Sequence, residues 1–463
     1  MKTRPSVTLT SAANRDEQVT QSGHANRTAQ GLTSARDSEA TKQPIAKILM
    51  LVQQVYPEDQ RVRNEATLLV SAGYEVSVIA LKKKTQAYFE IIDGVFVYRI
   101  PRFEFFKKTA DGGERFLGIV WLKLKSFLGY LLEYSYFTTA CSVLSLVVFL
   151  KRGFDVIHAH NPPDMLFMIA LPYKLFGKKF IFDQHDLCPE LYLSRYRAKS
   201  GMFARMLRLL EWFSMRTAGI TIATNESYKS IQMQRGRKDP KNIFIVRNGP
   251  NKRKMSPALP NPALRKLQKS ILCYIGSLNP QDGVDYLLRA LYHLQYTLGR
   301  DDFHCIIMGT GDSFTDLQRL ARELKLNEAV TLTGWIPQEE LEANLAAADI
   351  CVDPDPSSPL NDVSTWVKIM EYMAYGKPII SFDLKETKFS AQEAALFVPP
   401  NDELAFAKGI IELMDNHSLR TKMGQAGRKR VEEELQWSIV GENLLSAYKY
   451  LLPSNRPRLR LIR

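Results

Sequence analysis

A chain of 463 residues, 45% hydrophobic and 24% charged, is long for one globular domain and comfortable for two. Its 62 Lys and Arg against 49 Asp and Glu leave a formal charge of +13, which suits nucleic acid, anionic lipid or phosphorylated substrates without choosing among them. The five cysteines, Cys141, Cys188, Cys273, Cys305 and Cys351, show no C-x-x-C spacing, which argues against a disulfide scaffold and a zinc site and for free thiols in a reducing compartment.

Residues 1–44 are rich in Ser, Thr, Ala, Arg and Gln and read as a disordered tail. They hold no apolar run of signal-peptide type, and Asp16, Glu17, Asp37 and Glu39 are out of place in a transit peptide. From residue 46 apolar strands alternate with helical runs. Strands are expected at 46–53, 75–81, 95–100, 155–160, 179–185, 219–224 and 242–248, with a first helix over 61–72 stopped by Gly73. A linker rich in Pro, Asn and Lys, 251–269, precedes a second series at 271–277, 303–309, 330–335, 349–353, 378–383 and 395–398. Val/Ile-rich strands separated by helices predict two doubly wound parallel sheets, in domains 45–250 and 270–436. Ligands of such sheets bind beyond the carboxyl ends of the strands. Residues 437–452 read as a last helix and 453–463 as a basic tail.

The segment 116–150 breaks this rhythm, because from 126 to 150 its only charge is Glu133. Its length suits a membrane span. A single span would put the flanking strands 95–100 and 155–160 on opposite sides of a bilayer, although one sheet needs both. A large buried hairpin and a helix lying in the membrane interface remain. Arg115, Lys123, Lys125, Lys151 and Arg152, with Trp121, Tyr130, Tyr134 and Tyr136, favour the interface.

Several strand ends carry groups with chemistry. In Asp155-Val-Ile-His-Ala-His160 the two histidines share a face and His160 lies at the carboxyl end. Phe182-Asp-Gln-His-Asp-Leu-Cys-Pro-Glu190 crowds Asp183, His185, Asp186 and Glu190, a set suited to acid–base work, hydroxyl binding, a metal, or plain helix capping. Arg61 near the first helix N-terminus suits a phosphate or an acceptor, or is a surface arginine. In the second half, residues 361–380 read as loop, helix and strand, with Ser364 and Thr365 as N-caps and Gly376 as the C-cap. A helix N-terminus suits a phosphate. Lys368 and Glu371, three apart, share a helix face. Together they suit a nucleoside diphosphate, the cation on phosphate and the carboxylate on ribose; a surface ion pair is the plainer alternative.

Glu371-Tyr-Met-Ala-Tyr-Gly-Lys-Pro-Ile-Ile380 closely resembles the donor-site signature of family-four retaining glycosyltransferases. The resemblance covers roughly residues 46–450. It implies the GT-B fold, two Rossmann-like domains facing each other across a cleft, with the last helix crossing back to the first domain. It implies that His160 contacts the transferred sugar, with catalysis carried by His160, Glu371 and Lys368. Donor contacts would come from Arg247, Gly309, Gly311, Gly334, Trp335, Asp362, Ser364, Thr365, Lys368 and Glu371. Arg61, His185, Asp186 and Glu190 are expected on the acceptor side. The family's Arg/Lys clamp on the diphosphate is absent, Ser277 and Asp282 standing there, and the first of its paired glutamates is Val363.

The expected activity is sugar transfer, with retention, from a nucleotide-sugar to a hydroxyl acceptor, a lipid-linked saccharide or polysaccharide. No cofactor, metal or nucleic acid is expected; Asp353-Pro-Asp355 sits between strand and donor loop rather than in a metal-binding context. The expected setting is the cytoplasmic face of the cell membrane, on anionic lipid. Alternatives are an epimerase or phosphorylase on the same fold, or a non-catalytic membrane-surface protein with a decayed donor site.

Overall fold

The structure, a computed structural model, describes residues 43–103, 116–195, 201–250 and 258–453, and of residues 116–128 and 130 the backbone alone. The expected N-terminal tail up to residue 42, the first part of the linker and the basic tail from 454 lie outside the described residues. Strands β1 (Lys47–Val55), β2 (Glu75–Lys82), β3 (Phe89–Ile92), β4 (Val95–Pro101), β5 (Val156–His160), β6 (Lys179–Gln184), β7 (Ile220–Ala223) and β8 (Ile243–Ile245) make one sheet. Its order is β3-β4-β2-β1-β5-β6-β7-β8. Strands β9 (Ser270–Ile275), β10 (Phe303–Met308), β11 (Val330–Gly334), β12 (Ile350–Asp353), β13 (Ile379–Phe382) and β14 (Ala395–Val398) make the other, in the order β11-β10-β9-β12-β13-β14. Every pairing is parallel except β3 with β4. The strand order reverses between β1 and β5 and between β9 and β12, the switch points where crevices open in such sheets.

Parallel strands covered on both faces need apolar residues at every position, and the inner strands of each sheet are buried almost throughout. Each sheet carries one apolar cluster on either face. All five cysteines are buried free thiols, as expected. The unforeseen β3 is joined to β4 by Asp93-Gly94, both at positive φ (51° and 79°), the turn that fits a two-residue hairpin.

Helix α1 (Gln60–Ser71) follows β1, and Asp59 caps it by accepting from Val62 N at 3.0 Å. Helix α2 (Phe116–Lys151) is one continuous 36-residue helix, so the hairpin reading falls. Its 131–151 part is long and apolar enough to cross a membrane by length and composition. Yet Phe137, Cys141 and Val148 pack against Leu49 and Leu51 of β1 and Ile79 and Leu81 of β2. With β4 and β5 in one sheet, the helix lies along the domain instead of leaving it. Helices α3 (Phe167–Leu175), α4 (Cys188–Arg195) and α5 (Met202–Thr217) complete this side of the domain.

The C-terminal helix Glu442–Leu451 does cross back: Leu444, Ala447 and Tyr448 are buried in the same cluster as Ile48, Met50 and Val76. The described residues from 45 onward form a single compact unit. Contacts between its two sheets include Asn225 Nδ2 donating to Val363 O and Thr365 Oγ1, both at 2.9 Å. Leu360 and Val363 pack with Leu187, Ala223 and Tyr228 of the first domain, so Val363 serves as an interdomain apolar contact.

Candidate active site

A cavity of about 350 Å³ opens between the two domains, lined on one side by Arg61, Asn64, His185, Asp186, Tyr228 and Asn248 and on the other by Ser364, Thr365, Trp366, Met370 and Glu371. A second, of about 360 Å³, lies at the strand ends of the second sheet, with Gly276, Met308, Gly309, Gly334, Trp335, Lys368 and Glu371 in its wall. Val367 and Glu371 belong to both, so these two residues stand where the cavities meet. Each volume suits part of a small ligand, and the pair would take one with two distinct halves.

The wall of the second cavity follows from local backbone demands. Gly309 has φ +147°, and a Cβ there would lie 1.8 Å from Gly276 O, so β9 and β10 approach as backbone alone. The helix Val367–Ala374 begins two residues later than a Ser364 cap requires and one later than a Thr365 cap. Its N-cap is Trp366, whose side chain makes no capping bond. Ser364 Oγ donates instead to Leu360 O at 2.8 Å, and Thr365 Oγ1 accepts from Asn225. The first N–H groups of the helix thus have no side-chain cap, and the cavity is lined by their residues. Gly376, at φ +62°, ends the helix as expected.

Lys368 corrects the diphosphate expectation. Its Nζ lies 2.9 Å from Asp353 and 2.7 Å from Asp355, both fully buried. Burial alone would lower the ammonium pKa; the two carboxylates overcome this and raise it. The cation is therefore committed inward to the D-x-D pair, and burial together with Asp353 pushes Asp355 well above the usual carboxylate range. Asp282, at the missing clamp position, accepts from Asn279 N at 2.8 Å. Arg247 lines neither cavity: its guanidinium stacks 4.2 Å from the Phe389 ring and lies 3.9 Å from Glu386. Asp362 accepts from Ser357 Oγ at 3.2 Å, and Gly311 packs against the Leu278 backbone; neither lines either of these two cavities.

The first-domain wall is a buried charge network. Arg61 Nη2 donates to both Asp183 oxygens at 3.0 Å, Nη1 to Val246 O and Asn248 Oδ1 at 2.8 Å, and Nε to His185 Nε2 at 3.0 Å. His160 Nδ1 is 3.2 Å from His185 Nε2. Of the two histidines, His185 lines the cleft; His160 is 1% exposed and stands behind it, which corrects the expectation that His160 faces the sugar directly. Burial pushes Glu65 up, reinforced by Asp183, while Asp183 stays low despite burial because Arg61 and the histidines surround it. Burial lowers both His158 and His160, which hold neutral imidazoles. Glu190 is not at the cleft: it pairs with Arg235 at 2.7 Å.

Sequence reasoning missed Glu65, Tyr228, Asn225 and Trp366. The Arg61–Glu65 pair, one turn apart on α1, was a legible signal. The other three owe their position to the meeting of the domains.

Residues 60–253 match a family model described as Glycosyltransferase Family 4, and residues 269–416 one described as Glycosyl transferases group 1. Over 172 residues the chain is 33% identical to the GDP-mannose-dependent monoacylated alpha-(1-6)-phosphatidylinositol monomannoside mannosyltransferase of Corynebacterium glutamicum, across 36% of this chain and 44% of that protein. It is 23% identical over 257 residues to the chitobiosyldiphosphodolichol beta-mannosyltransferase of Candida albicans, across 52% and 56%. The matches thus span about half the length of these relatives. Among solved structures, sucrose-phosphate synthase from Thermosynechococcus elongatus superposes with a TM-score of 0.67 at 18% identity, covering 89% of this chain and 100% of that one. Anabaena HepE in complex with UDP-glucose superposes at 0.62 with 14% identity, covering 88% and 100%. Two doubly wound sheets sharing a cleft, with a segment in each that matches a glycosyltransferase family model, give this chain the GT-B fold.

Proposed function

We propose that the protein transfers a sugar from a nucleotide-sugar to the hydroxyl of a lipid-linked acceptor, with retention of configuration, at the cytoplasmic face of a membrane. The observation that carries this reading is the pair of cavities meeting at Glu371. The nucleoside half of the donor occupies the second-sheet cavity, where Glu371 accepts from the ribose hydroxyls. The diphosphate lies at the start of the helix Val367–Ala374, whose uncapped N–H groups receive its charge. With Lys368 committed to Asp353 and Asp355, backbone donors carry more of that charge than the family pattern implies. Sugar and acceptor meet in the interdomain cavity between this helix and His185, Asp186 and Arg61. The transfer step draws on protein groups alone: oriented donors stabilise the departing diphosphate, and the cleft holds the acceptor hydroxyl beside it.

The lipid acceptor is supported by the outer surface of the first domain. Leu146 and Leu150 of α2, Leu171 and Leu175 of α3 with Phe176, and Met202 and Leu209 of α5 are all exposed. Lys151, Lys174, Arg205, Arg208 and Arg216 are exposed on the same helices. Apolar side chains beside lysine and arginine suit the interface of an anionic bilayer. The named relatives from Corynebacterium and Candida act, by their names, on lipid-linked mannosides and saccharides.

Incubating the protein with a panel of nucleotide-sugars and a membrane-lipid extract tests the reading. Lipid-stimulated release of a nucleoside diphosphate from at least one donor is expected, and NMR of the product sets its anomeric configuration against the donor's. Free sugar formed at the same rate without lipid would contradict the acceptor assignment.

A further inference from the structure

We propose that the acceptor half of the cleft is built for a neutral polyhydroxylated ring, a sugar or cyclitol, and not for a phosphate, with Asp186 and His185 gripping hydroxyls of that ring. This deepens the reading of the interdomain cavity as the place where sugar and acceptor meet, and rests on it.

The assignment starts from Arg61, the only lysine or arginine among the described residues that line this cavity. Its side chain is 8% exposed, and each of its three nitrogens donates to the protein. Nη2 serves Asp183, Nη1 serves Val246 O and Asn248 Oδ1, and Nε serves His185 Nε2. A guanidinium so engaged spends its charge on Asp183 and positions the wall instead of binding an anion. Asp59, Asp186 and Glu371 bring carboxylates to the same cavity. The uncapped N–H groups of the helix Val367–Ala374 are taken, in the proposed reading, by the donor's own diphosphate. A second phosphate would meet like charge here with no cation to answer it.

Arg61 also fixes what His185 presents. An arginine Nε–H keeps its proton, so the His185 nitrogen at which it points, 3.0 Å away, holds the lone pair. Asp183 Oδ2 lies 3.0 Å from the same nitrogen, but it already accepts from Arg61 Nη2. The neutral imidazole therefore carries its proton on Nδ1. The hydrogen bonds of the ring all run through Nε2, which leaves Nδ1–H for the cavity that His185 lines. That group donates to a hydroxyl oxygen and accepts nothing.

Asp186, the next residue, offers the opposite. Asn161 Oδ1 accepts from the backbone N–H of both residues, at 2.6 Å from His185 and 3.1 Å from Asp186, and so sets the turn that carries the pair. Among the described residues no group donates to the Asp186 carboxylate. Burial, with Asp59 nearby, raises its carboxyl above the usual value. A half-buried carboxylate without donors is costly, and hydroxyl protons satisfy it. An acceptor-only carboxylate beside a donor-only N–H matches two hydroxyls, one giving its proton and the other receiving one. Trp366 and Trp437 line the same cavity, the aromatic wall that accompanies a few orienting polar groups in small-molecule sites.

NMR titration of the full chain, saturated with its nucleoside diphosphate, tests this with methyl α-glucoside, methyl α-mannoside and myo-inositol as neutral probes and inorganic phosphate as the charged one. At least one neutral ring is expected to bind. Asp186→Asn should weaken it about tenfold or more, because a charged acceptor is lost, with nucleoside diphosphate affinity kept. His185→Leu should weaken it similarly, and His185→Asn, which restores an N–H donor, should recover part of the loss, as a merely structural role would not. If His185→Leu does not fold, the isosteric Asp186→Asn decides. An octyl mannoside that binds more tightly than the methyl one places the ring on a lipid carrier, and equal affinity places it on a soluble saccharide; both support ring recognition. Phosphate bound in place of the rings, and more tightly by Asp186→Asn, would overturn the proposal. So would rings held equally by wild type and Asp186→Asn, or no ring bound by protein that does bind the diphosphate. Protein that binds no nucleoside diphosphate would bring down the underlying transferase reading and this proposal together, a result distinct from the others.

Discussion

Three side chains carry sharp expectations. Glu371→Gln should weaken binding of the donor's nucleoside diphosphate about tenfold or more, because hydrogen bonds to a charged acceptor contribute about 1.5–3 kcal/mol. Titration calorimetry checks this, and unchanged affinity removes Glu371 from the ribose. Lys368→Met is expected to act on stability first. It leaves Asp353 and Asp355 buried without their cation, at a cost of about 3–5 kcal/mol, and thermal melting should fall sharply. A variant that melts like the wild type and loses only diphosphate affinity would return Lys368 to the phosphate. Asp164 gives a pH signature. Burial, with Glu211 nearby, raises its carboxyl from 3.8 to about 7. Between those values the folded chain keeps a proton that the unfolded chain has released, so stability falls as pH rises through that window. Asp164→Asn removes the penalty, up to about 4 kcal/mol. Its melting temperature should exceed the wild type's at pH 8 and converge on it near pH 4.

At the scale of elements, the helices outside the first sheet have a task the core does not explain. Replacing Leu146, Leu150, Leu175 and Phe176 with serine should release the protein from anionic vesicles in flotation while leaving nucleotide binding intact. Added salt should weaken, but not abolish, binding of the wild type, because apolar insertion and basic attraction act together. Wild type that floats with no vesicle would make these faces the docking place of something other than lipid. The strands were legible because a parallel sheet buried on both sides needs unbroken Val/Ile-rich runs. The helix α2 is legible as one apolar helix from its flanking basic and aromatic residues, while Gly129 and the lone Glu133 leave a hairpin open until the structure shows one continuous rod. The late start of the helix at Val367 was hidden for a related reason. Ser364 and Thr365 are good caps by type, but interdomain partners, Asn225 and Tyr228, hold their hydroxyls.

For the whole molecule, the two doubly wound sheets and the return of the last helix could be anticipated from pattern and resemblance. The cleft could not be drawn in detail, because its walls are set by how two domains meet. Tyr228 reaches Ser364 across that junction, Val363 packs into it, and Glu190 turns away to Arg235. The charges at the donor site also needed coordinates: only there is Lys368 seen to be held by Asp353 and Asp355. The central claim is that sugar passes from a nucleotide carrier to a lipid across this cleft. Its most direct test is transfer of labelled sugar from each member of a nucleotide-sugar panel into the organic-solvent-extractable lipids of membranes. Label entering the lipid fraction from one donor, and falling at least about tenfold in Glu371→Gln, is the predicted result. Label that stays wholly in the aqueous phase with every donor, from protein that binds nucleoside diphosphate, would contradict it.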